Sequence, residues 1–181
     1  MFNVAVLDSY LWVPKEELGS NLDVYRSQLT HFSKFDSNVQ IKVYAEEDGW
    51  FGFPRHYFRL SKNIAEQILD KRELGNELVF DAKYNLYNYQ SKLIDDLSST
   101  VDRGGSGFFI IAAPGSGKTV MGIEAIRLLG REALIVVPKS DLVDQWMSRF
   151  LEHTSLRRED IAVANNGGIT ENWETAKVVI G

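Results

Sequence analysis

Residues 112–119 (AAPGSGKT) have the residue types and the order of a phosphate-binding loop. Gly115 and Gly117 would let the backbone curl so that several amide N–H groups face one anion, and the N-terminus of a following helix would add partial positive charge. Lys118 would reach the β- and γ-phosphates of ATP, and the Thr119 hydroxyl would bind Mg²⁺. The usual pattern has glycine where this sequence has Ala112, so the loop departs from it at one position.

The residues on both sides of the loop predict the elements that position it. Residues 108–112 (FFIIA) predict a buried strand, and residues 119–129 predict a helix that Gly130 ends. The alternative is a chance Gly-x-Gly-Lys-Thr in a flexible surface loop, which has no need of this apolar context.

The second half of the chain alternates between helices and apolar strands. This pattern is typical of an α/β fold in which helices cover both faces of a parallel sheet. The predicted elements after residue 83 are a helix over 89–97, a loop over 102–107, a strand over 133–137, a helix over 141–150 and strands at 161–163 and 178–180.

The first half predicts a small α+β domain, with a domain boundary near residue 83. Residues 38–45 (NVQIKVYA) alternate as in a half-buried strand, and residues 46–49 form a turn to a return strand, which together predict a β-hairpin. The other predicted elements are a strand at 2–7, a loop through Pro14, a helix or a helix turning into a strand at 21–33, and an amphipathic helix at 60–69 with Ser61 as its cap.

Composition excludes several classes of site. The 181 residues contain no cysteine and three histidines, so a disulfide or thiolate metal site is excluded and a histidine zinc site is not expected. No apolar run is long enough to cross a bilayer, and the N-terminus lacks the basic start of a signal peptide, so a cytoplasmic protein is expected. The formal charge of −5 does not indicate nucleic-acid binding, although a groove needs only local positive charge.

Three stretches together resemble the first RecA-like domain of superfamily 2 helicases. Residues 112–119 match the Ala-x-x-Gly-x-Gly-Lys-Thr form of motif I, which explains Ala112. Residues 86–90 (LYNYQ) resemble the upstream glutamine motif, and residues 137–146 (VPKSDLVDQW) resemble motif Ia. The Tyr-Gln and Gln-Trp versions resemble the DNA-translocating branch, which includes repair, recombination, phage and restriction-enzyme motors.

The resemblance implies a role for each motif. Gln90 would read the adenine edge, and Tyr87 or Tyr89 would stack on the base. The alternative is that Tyr89 packs in the core and Gln90 makes a local cap. Lys118 and Thr119 are the expected catalytic residues, with Thr119 as the metal ligand; the expected ATP-binding set is Tyr89, Gln90, Pro114, Gly115, Ser116, Gly117, Lys118 and Thr119.

Two further stretches are candidates for DNA contact. In motif Ia, Pro138, Lys139 and Ser140 would bind the nucleic-acid backbone, although Lys139 is equally explained as a solvated lysine. On the helix that follows, Trp146 is expected in the core. Residues 52–59 (GFPRHYFR) resemble a Pro-Arg element that precedes the motor in phage and repair relatives, so Arg55 is a candidate; the alternative is that the aromatics there pack onto the motor domain.

The acidic Asp-Glu motif that the family uses to hold magnesium and activate water does not occur after Lys118. Residues 84–181 are therefore expected to be an incomplete RecA-like domain, within a longer helicase or a split gene product, that binds ATP but hydrolyses it poorly alone. A second RecA-like domain and double-stranded, forked or branched DNA are the implied partners. The alternatives are a non-catalytic module that binds DNA or a protein partner, and a phosphate-loop kinase.

Overall fold

The computed structural model describes residues 2–58, 64–103, 107–165 and 167–181, which form two compact units, Met1–Glu73 and Leu74–Gly181. The division lies earlier than the predicted boundary near residue 83. The first unit contains strands β1 (Phe2–Leu7), β2 (Tyr10–Pro14), β3 (Thr30–Phe32), β4 (Gln40–Lys42), β5 (Ala45–Glu47), β6 (Trp50–Pro54) and β7 (Ala65–Asp70), with helices α1 (Lys15–Leu18) and α2 (Leu22–Gln28) and a short 3-10 turn at Gly19–Asn21.

Five of these strands form one sheet in the order β5-β6-β2-β1-β7, and β3 pairs with β4 separately. All pairs in the larger sheet are antiparallel except β1 with β7. The β5–β6 pair confirms the predicted hairpin in part: its return strand lies where predicted, but its first strand is Ala45–Glu47 and not residues 38–45, and its turn contains Gly49 at φ 76°. The core beneath the sheet is rich in aromatic rings, because Phe51 and Phe53 are fully buried and Tyr25 meets Phe53 edge-on at 5.0 Å.

Several predictions for the first unit are wrong. Residues 10–14, predicted as a loop, form β2, which places Leu11 and Val13 in the core. The predicted helix at 60–69 is strand β7 from Ala65 onward; residues 60–63, including the proposed cap, lie outside the described residues. Main-chain pairing with β1 overrides the helical spacing of its apolar residues. The predicted half-buried strand at 38–45 is the short strand β4, where Ile41 is 48% exposed.

The second unit is a mixed α/β fold with a parallel sheet. Strands β8 (Ala133–Ile135), β11 (Val178–Ile180) and β9 (Ile161–Asn165) are parallel, and β10 (Gly168–Ile169) is antiparallel to β9, in the order β10-β9-β11-β8. The predicted parallel sheet is therefore confirmed, whereas β10 was not predicted. The elements are α3 (Asn88–Asp102), α4 (Lys118–Leu129), β8 (Ala133–Ile135), α5 (Ser140–His153), β9 (Ile161–Asn165), β10 (Gly168–Ile169) and β11 (Val178–Ile180), with 3-10 turns at Arg158–Asp160 and Glu171–Glu174.

Helices α4 and α5 pack against one face of this sheet. Ile123 of α4 and Phe150 of α5 are fully buried in a cluster with Val178 and Ile180 of β11. On the other side of β8, Leu134 and Val136 are 69% and 77% exposed. Ala162 of β9, which lies on the same face as Leu134, is fully buried, so among the described residues this face is covered at β9 and open at β8, and the prediction that both faces are covered holds only in part.

The segment before the phosphate loop also differs from its prediction. Residues 107–113 have no regular secondary structure, and Phe109 and Ile111 are 97% and 94% exposed. No described strand pairs with them, and an extended segment becomes a strand only when neighbours satisfy its backbone groups. The predicted buried strand at 108–112 is therefore wrong here. Among the described residues, no helix has both the length and the apolar character needed to cross a bilayer.

Candidate functional site

The loop at 112–119 connects this irregular segment to helix α4, which begins at Lys118. Gly115 and Gly117 have φ values of 77° and 78°, in the left-handed region that favours glycine. The Lys118 Nζ donates hydrogen bonds to the carbonyl oxygens of Ala112 and Ala113, at 2.9 and 2.8 Å. The loop therefore curls back over the lysine at its end, as expected for a phosphate-binding loop.

Two features of this loop fit a bound phosphate. The first backbone N–H groups of α4 have no partners within the helix and carry the positive end of its dipole. The Ser116 hydroxyl oxygen is buried and has no hydrogen-bond partner among the described residues. A buried polar atom without a partner costs free energy unless a ligand or water supplies one.

A cavity of about 690 Å³ opens beside the loop. Its walls come from the loop, the first turn of α4 and one side of α5. Five of the predicted ATP-binding residues line it together. The lining residues are Pro114, Gly115, Gly117, Lys118, Thr119, Val120, Leu142, Gln145, Trp146, Arg149 and His153.

Two further predicted ATP-binding residues, Tyr89 and Gln90, reach the loop from α3. Gln90 is 3% exposed, and its Nε2 donates to the carbonyl oxygen of Ser116 at 3.0 Å. The hydroxyl of Tyr89 donates to the same carbonyl oxygen at 2.8 Å. Gln90 also makes the local cap that the alternative interpretation expected, because its Oε1 accepts the backbone N–H of Tyr87 at 2.9 Å.

Tyr89 is not a core residue. The rings of Tyr87 and Tyr89 lie nearly parallel, with centroids 5.9 Å apart, and the two residues are 68% and 49% exposed. Exposed aromatic faces next to a phosphate loop are suited to stacking on a nucleobase. The expectation that Trp146 belongs to the core is confirmed, since it is partly buried and packs beside Phe150, with ring centroids 6.1 Å apart.

An ionic network that the sequence analysis missed links α4 to the chain before α3. Glu124 is 6% exposed, and its carboxylate accepts hydrogen bonds from Arg127 and from the Tyr84 hydroxyl. The Arg127 guanidinium holds the pKa of Glu124 below its usual value. Burial, together with the Glu124 carboxylate, raises the pKa of Tyr84. In the sequence, the only indication of this network was a glutamate on the apolar side of the predicted helix.

The predicted motif Ia residues lie together at a second cavity of about 450 Å³. It opens where β8, β9 and β11 end and α5 begins, so Lys139 and Ser140 stand at a helix N-terminus. Asn165, which ends β9, and Gly167, which follows it, also line this cavity and were not predicted from the sequence. The lining residues are Val137, Pro138, Lys139, Ser140, Val143, Ala164, Asn165, Gly167 and Gly181.

Arg55 belongs to the first unit, whereas every other predicted site residue belongs to the second. It is exposed in the turn after β6. Within the same unit, Tyr57 and Phe58 pack against Phe53, at 5.3 and 4.8 Å between ring centroids.

Comparison with known proteins supports the resemblance. Residues 83–180 match the ResIII family, described as "Type III restriction enzyme, res subunit". A candidate DNA 3'-5' helicase, Rad25, from Haloarcula marismortui is 35% identical over 102 residues, which are 55% of this chain and 16% of that protein. Its namesake from Halobacterium salinarum is 32% identical over 139 residues, 74% of this chain and 22% of that protein.

A third relative, a candidate ATP-dependent RNA helicase, L396, from Acanthamoeba polyphaga mimivirus, is 26% identical over 149 residues, 81% of this chain. The matches span between 16% and 28% of the length of these three relatives. The family match covers more than half of the chain and contains all three motifs found in the sequence. The chain belongs to the ResIII family, and the matched residues contain the stretches that resemble motifs I and Ia of superfamily 2 helicases.

Proposed function

We propose that this chain is the ATP-binding portion of a superfamily 2 DNA helicase or translocase that acts in repair, recombination or replication. The observation that carries the proposal is the geometry of residues 112–119, where two left-handed glycines place Lys118 inside the curl of the loop at the start of α4. A bacterial cytoplasm or a phage-infected cell is the setting that we infer for it.

ATP is the proposed ligand of the loop, with its triphosphate at the N-terminus of α4 and its base beside Tyr87 and Tyr89. Lys118 would exchange its contacts with the Ala112 and Ala113 carbonyls for the β- and γ-phosphates. Mg²⁺ would neutralise charge on the phosphates, with the Thr119 hydroxyl as the ligand from this loop. The described residues contain no group of three acidic or histidine side chains that could hold the ion alone, so phosphate and water oxygens would complete its shell.

DNA is the proposed ligand of the cavity at Pro138, Lys139 and Ser140. Lys139 supplies positive charge, and the amides at the start of α5 suit phosphate oxygens. Such contacts position a strand without reading its sequence, which is what a translocating motor requires. Arg55, in the first unit, is a second proposed contact for duplex, forked or branched DNA.

We further propose that the chain works within a longer motor that supplies a second RecA-like domain. The curated relatives are several times longer than the segment matched. Phosphoryl transfer requires an acidic group to position water and an arginine to neutralise developing charge. The chain alone is therefore expected to bind ATP without efficient turnover.

The test is ATP hydrolysis, with and without DNA, by a protein in which this chain is continued by the rest of the first RecA-like domain, including its acidic motif, and by a second RecA-like domain. We expect turnover to rise at least about tenfold on adding single-stranded or forked DNA. Lys139→Glu should abolish most of that rise while leaving the basal rate intact, because it changes a DNA contact and not the phosphate loop. An ATP hydrolysis rate that does not change on adding DNA would contradict the motor proposal. Stimulation by RNA alone would contradict the proposal that the motor acts on DNA.

A further inference from the structure

Two tryptophans of the first unit lie on the face of the larger sheet that points away from its core. Trp12 of β2 is paired with Gly52 of β6, and Trp50 of β6 is paired with Glu47 of β5. Side chains alternate between the two faces of a strand, and the intervening Phe51 is fully buried in the core. The two indoles, which are partly exposed, therefore share the outer face with Glu47.

The Trp12 ring is held in one orientation by its surroundings. Its Nε1 donates to the Asp8 Oδ1 at 2.8 Å, and the same oxygen accepts the Tyr10 backbone N–H at 2.9 Å. The ring lies against β6, because a Cβ on Gly52 would lie 2.9 Å from its Cζ3. The Tyr10 hydrogen bond lowers the pKa of Asp8, so the carboxylate beside the ring is charged at neutral pH. An aromatic face is thus preorganised next to a negative charge.

A cavity of about 230 Å³ opens beside these groups. Its lining combines two indoles and an apolar side chain with two carboxylates and one ammonium, which leaves a net charge of −1. The lining residues are Val6, Asp8, Trp12, Glu47, Trp50 and Lys71. Glu47 is exposed and makes no ion pair within the part of the chain that the structure describes, whereas the neighbouring Glu46 pairs with Lys15 and Arg26. The Glu47 carboxylate is therefore available to a ligand.

We propose that this cavity binds an arginine side chain presented by a protein partner. The planar guanidinium would stack on the indole faces, because a cation is attracted to the face of an aromatic ring and most strongly to that of tryptophan. Glu47 would accept its N–H groups, since the Asp8 Oδ1 is already bonded to Trp12 and Tyr10. Lys71 opposes the ligand by its charge. The negative lining disfavours a nucleic-acid strand, whose phosphates would meet two carboxylates.

All six lining residues belong to the first unit, so the site is separate from the proposed nucleotide site and from the cavity at Lys139. The test titrates N-acetyl-arginine methylamide into the 181-residue chain and follows the indole N–H signals of its four tryptophans by NMR, each assigned by its replacement with phenylalanine. Trp12 and Trp50 should shift saturably with a Kd on the order of 1 mM, whereas Trp146 and Trp173 of the second unit should not shift.

Two further ligands separate charge from hydrogen bonding. The matching citrulline derivative has nearly the same shape without the charge, and it should bind at least about tenfold more weakly. Tetramethylammonium has the charge but no N–H donors, and it should bind at least about threefold more weakly.

Three variants test the roles of the lining residues. Glu47→Gln, at an exposed position, should weaken the arginine derivative by about threefold. Trp50→Leu removes one stacking face and should weaken it by about fivefold. Lys71→Met removes the opposing charge and should strengthen it by about threefold. Glu66→Gln, at an exposed position on β7 outside the cavity, makes the same charge change as Glu47→Gln and should leave the affinity unchanged.

Four results would overturn the proposal. Equal affinity for the arginine and citrulline derivatives would show that charge plays no part, and tetramethylammonium binding as tight as that of arginine would indicate a site for methylated amines. Unchanged affinity in both folded Glu47→Gln and folded Trp50→Leu would show that the ligand does not bind in this cavity. The absence of any shift of Trp12 and Trp50 at about 50 mM ligand would show that no arginine site exists there.

Discussion

Gly117 is the residue in the loop whose replacement the geometry restricts most. Its φ of 78° is strained for any other residue, and an added Cβ would meet the buried amide of Gln90 at 2.6 Å. Gly49, in the β5–β6 turn, has a φ of 76° with nothing within 4 Å of a Cβ. Replacing Gly49 therefore introduces backbone strain alone, whereas replacing Gly117 introduces backbone strain and a steric conflict.

We expect Gly49→Ala to cost about 1 kcal/mol of unfolding free energy, which is the left-handed backbone penalty alone. Gly117→Ala should cost about 2–3 kcal/mol, since the Gln90 contact is displaced as well, and it should also weaken ATP binding. Chemical denaturation and calorimetry measure the two effects. Equal costs for the two variants would show that the Gln90 contact adds no constraint.

At the scale of elements, Glu46 joins both helices of the first unit to the sheet. Its carboxylate, on β5, accepts hydrogen bonds from Arg26 of α2 at 2.7 and 2.8 Å and pairs with Lys15 of α1 at 2.9 Å. These contacts, the Arg26 hydrogen bonds above all, lower the pKa of Glu46 to about 2. A lowered pKa in the folded state means that this stabilisation is present above the unfolded pKa of about 4.5 and is lost as pH falls towards 2.

Glu46→Gln should therefore reduce the unfolding free energy by about 1 kcal/mol at pH 7, a value that allows for the partial exposure of the pair. The difference from wild type should shrink between pH 4.5 and pH 2, because protonated glutamate and glutamine are alike there. Urea denaturation across this range measures it. Glu47→Gln, on the same strand, is the control. A difference in unfolding free energy between Glu46→Gln and wild type that is independent of pH would contradict the ionic origin of the effect.

Elements were predictable from sequence where local pattern and tertiary environment agree. Helices α4 and α5 and strands β9 and β11 lie close to their predicted positions, because their apolar residues face one core. Helix α3 also lies close to its predicted position, and its apolar residues Ile94 and Leu97 are buried. Strand β7 was missed because its helical spacing competes with main-chain pairing to β1, a long-range partner that sequence spacing does not reveal. The apolar segment at 108–112 was predicted as a strand but is irregular, because a strand needs neighbouring strands as well as apolar residues.

The same distinction holds within the site. The order of Gly115, Gly117 and Lys118 predicted the loop that leads into α4, because its left-handed backbone at residues 115 and 117 favours glycine. The direction of the Gln90 amide, towards Ser116 and Tyr87, depends on how α3 packs beside the loop. Glu124 and Tyr84 likewise meet across 40 residues of sequence, so their contact was not predictable from spacing.

Over the whole molecule, the proposed nucleotide chemistry belongs to the second unit. The loop, Tyr89 and Gln90, and the cavity at Lys139 all lie within Leu74–Gly181, as does the whole of the ResIII match. The first unit contributes Arg55 as its one proposed DNA contact and has its own aromatic core. Binding of ATP should therefore respond to changes in the loop and not to changes in the first unit.

The most direct test of this account is calorimetric titration of Mg²⁺-ATP into the 181-residue chain and its Lys118→Ala variant. We expect saturable binding at one site in the wild type and at least about tenfold weaker binding in Lys118→Ala, the loss of a charged hydrogen bond to phosphate. Lys92→Ala, an exposed lysine on α3, should bind as the wild type does. Equal binding by Lys118→Ala, or no binding by the wild type at millimolar ATP, would contradict the central claim that residues 112–119 hold a nucleoside triphosphate.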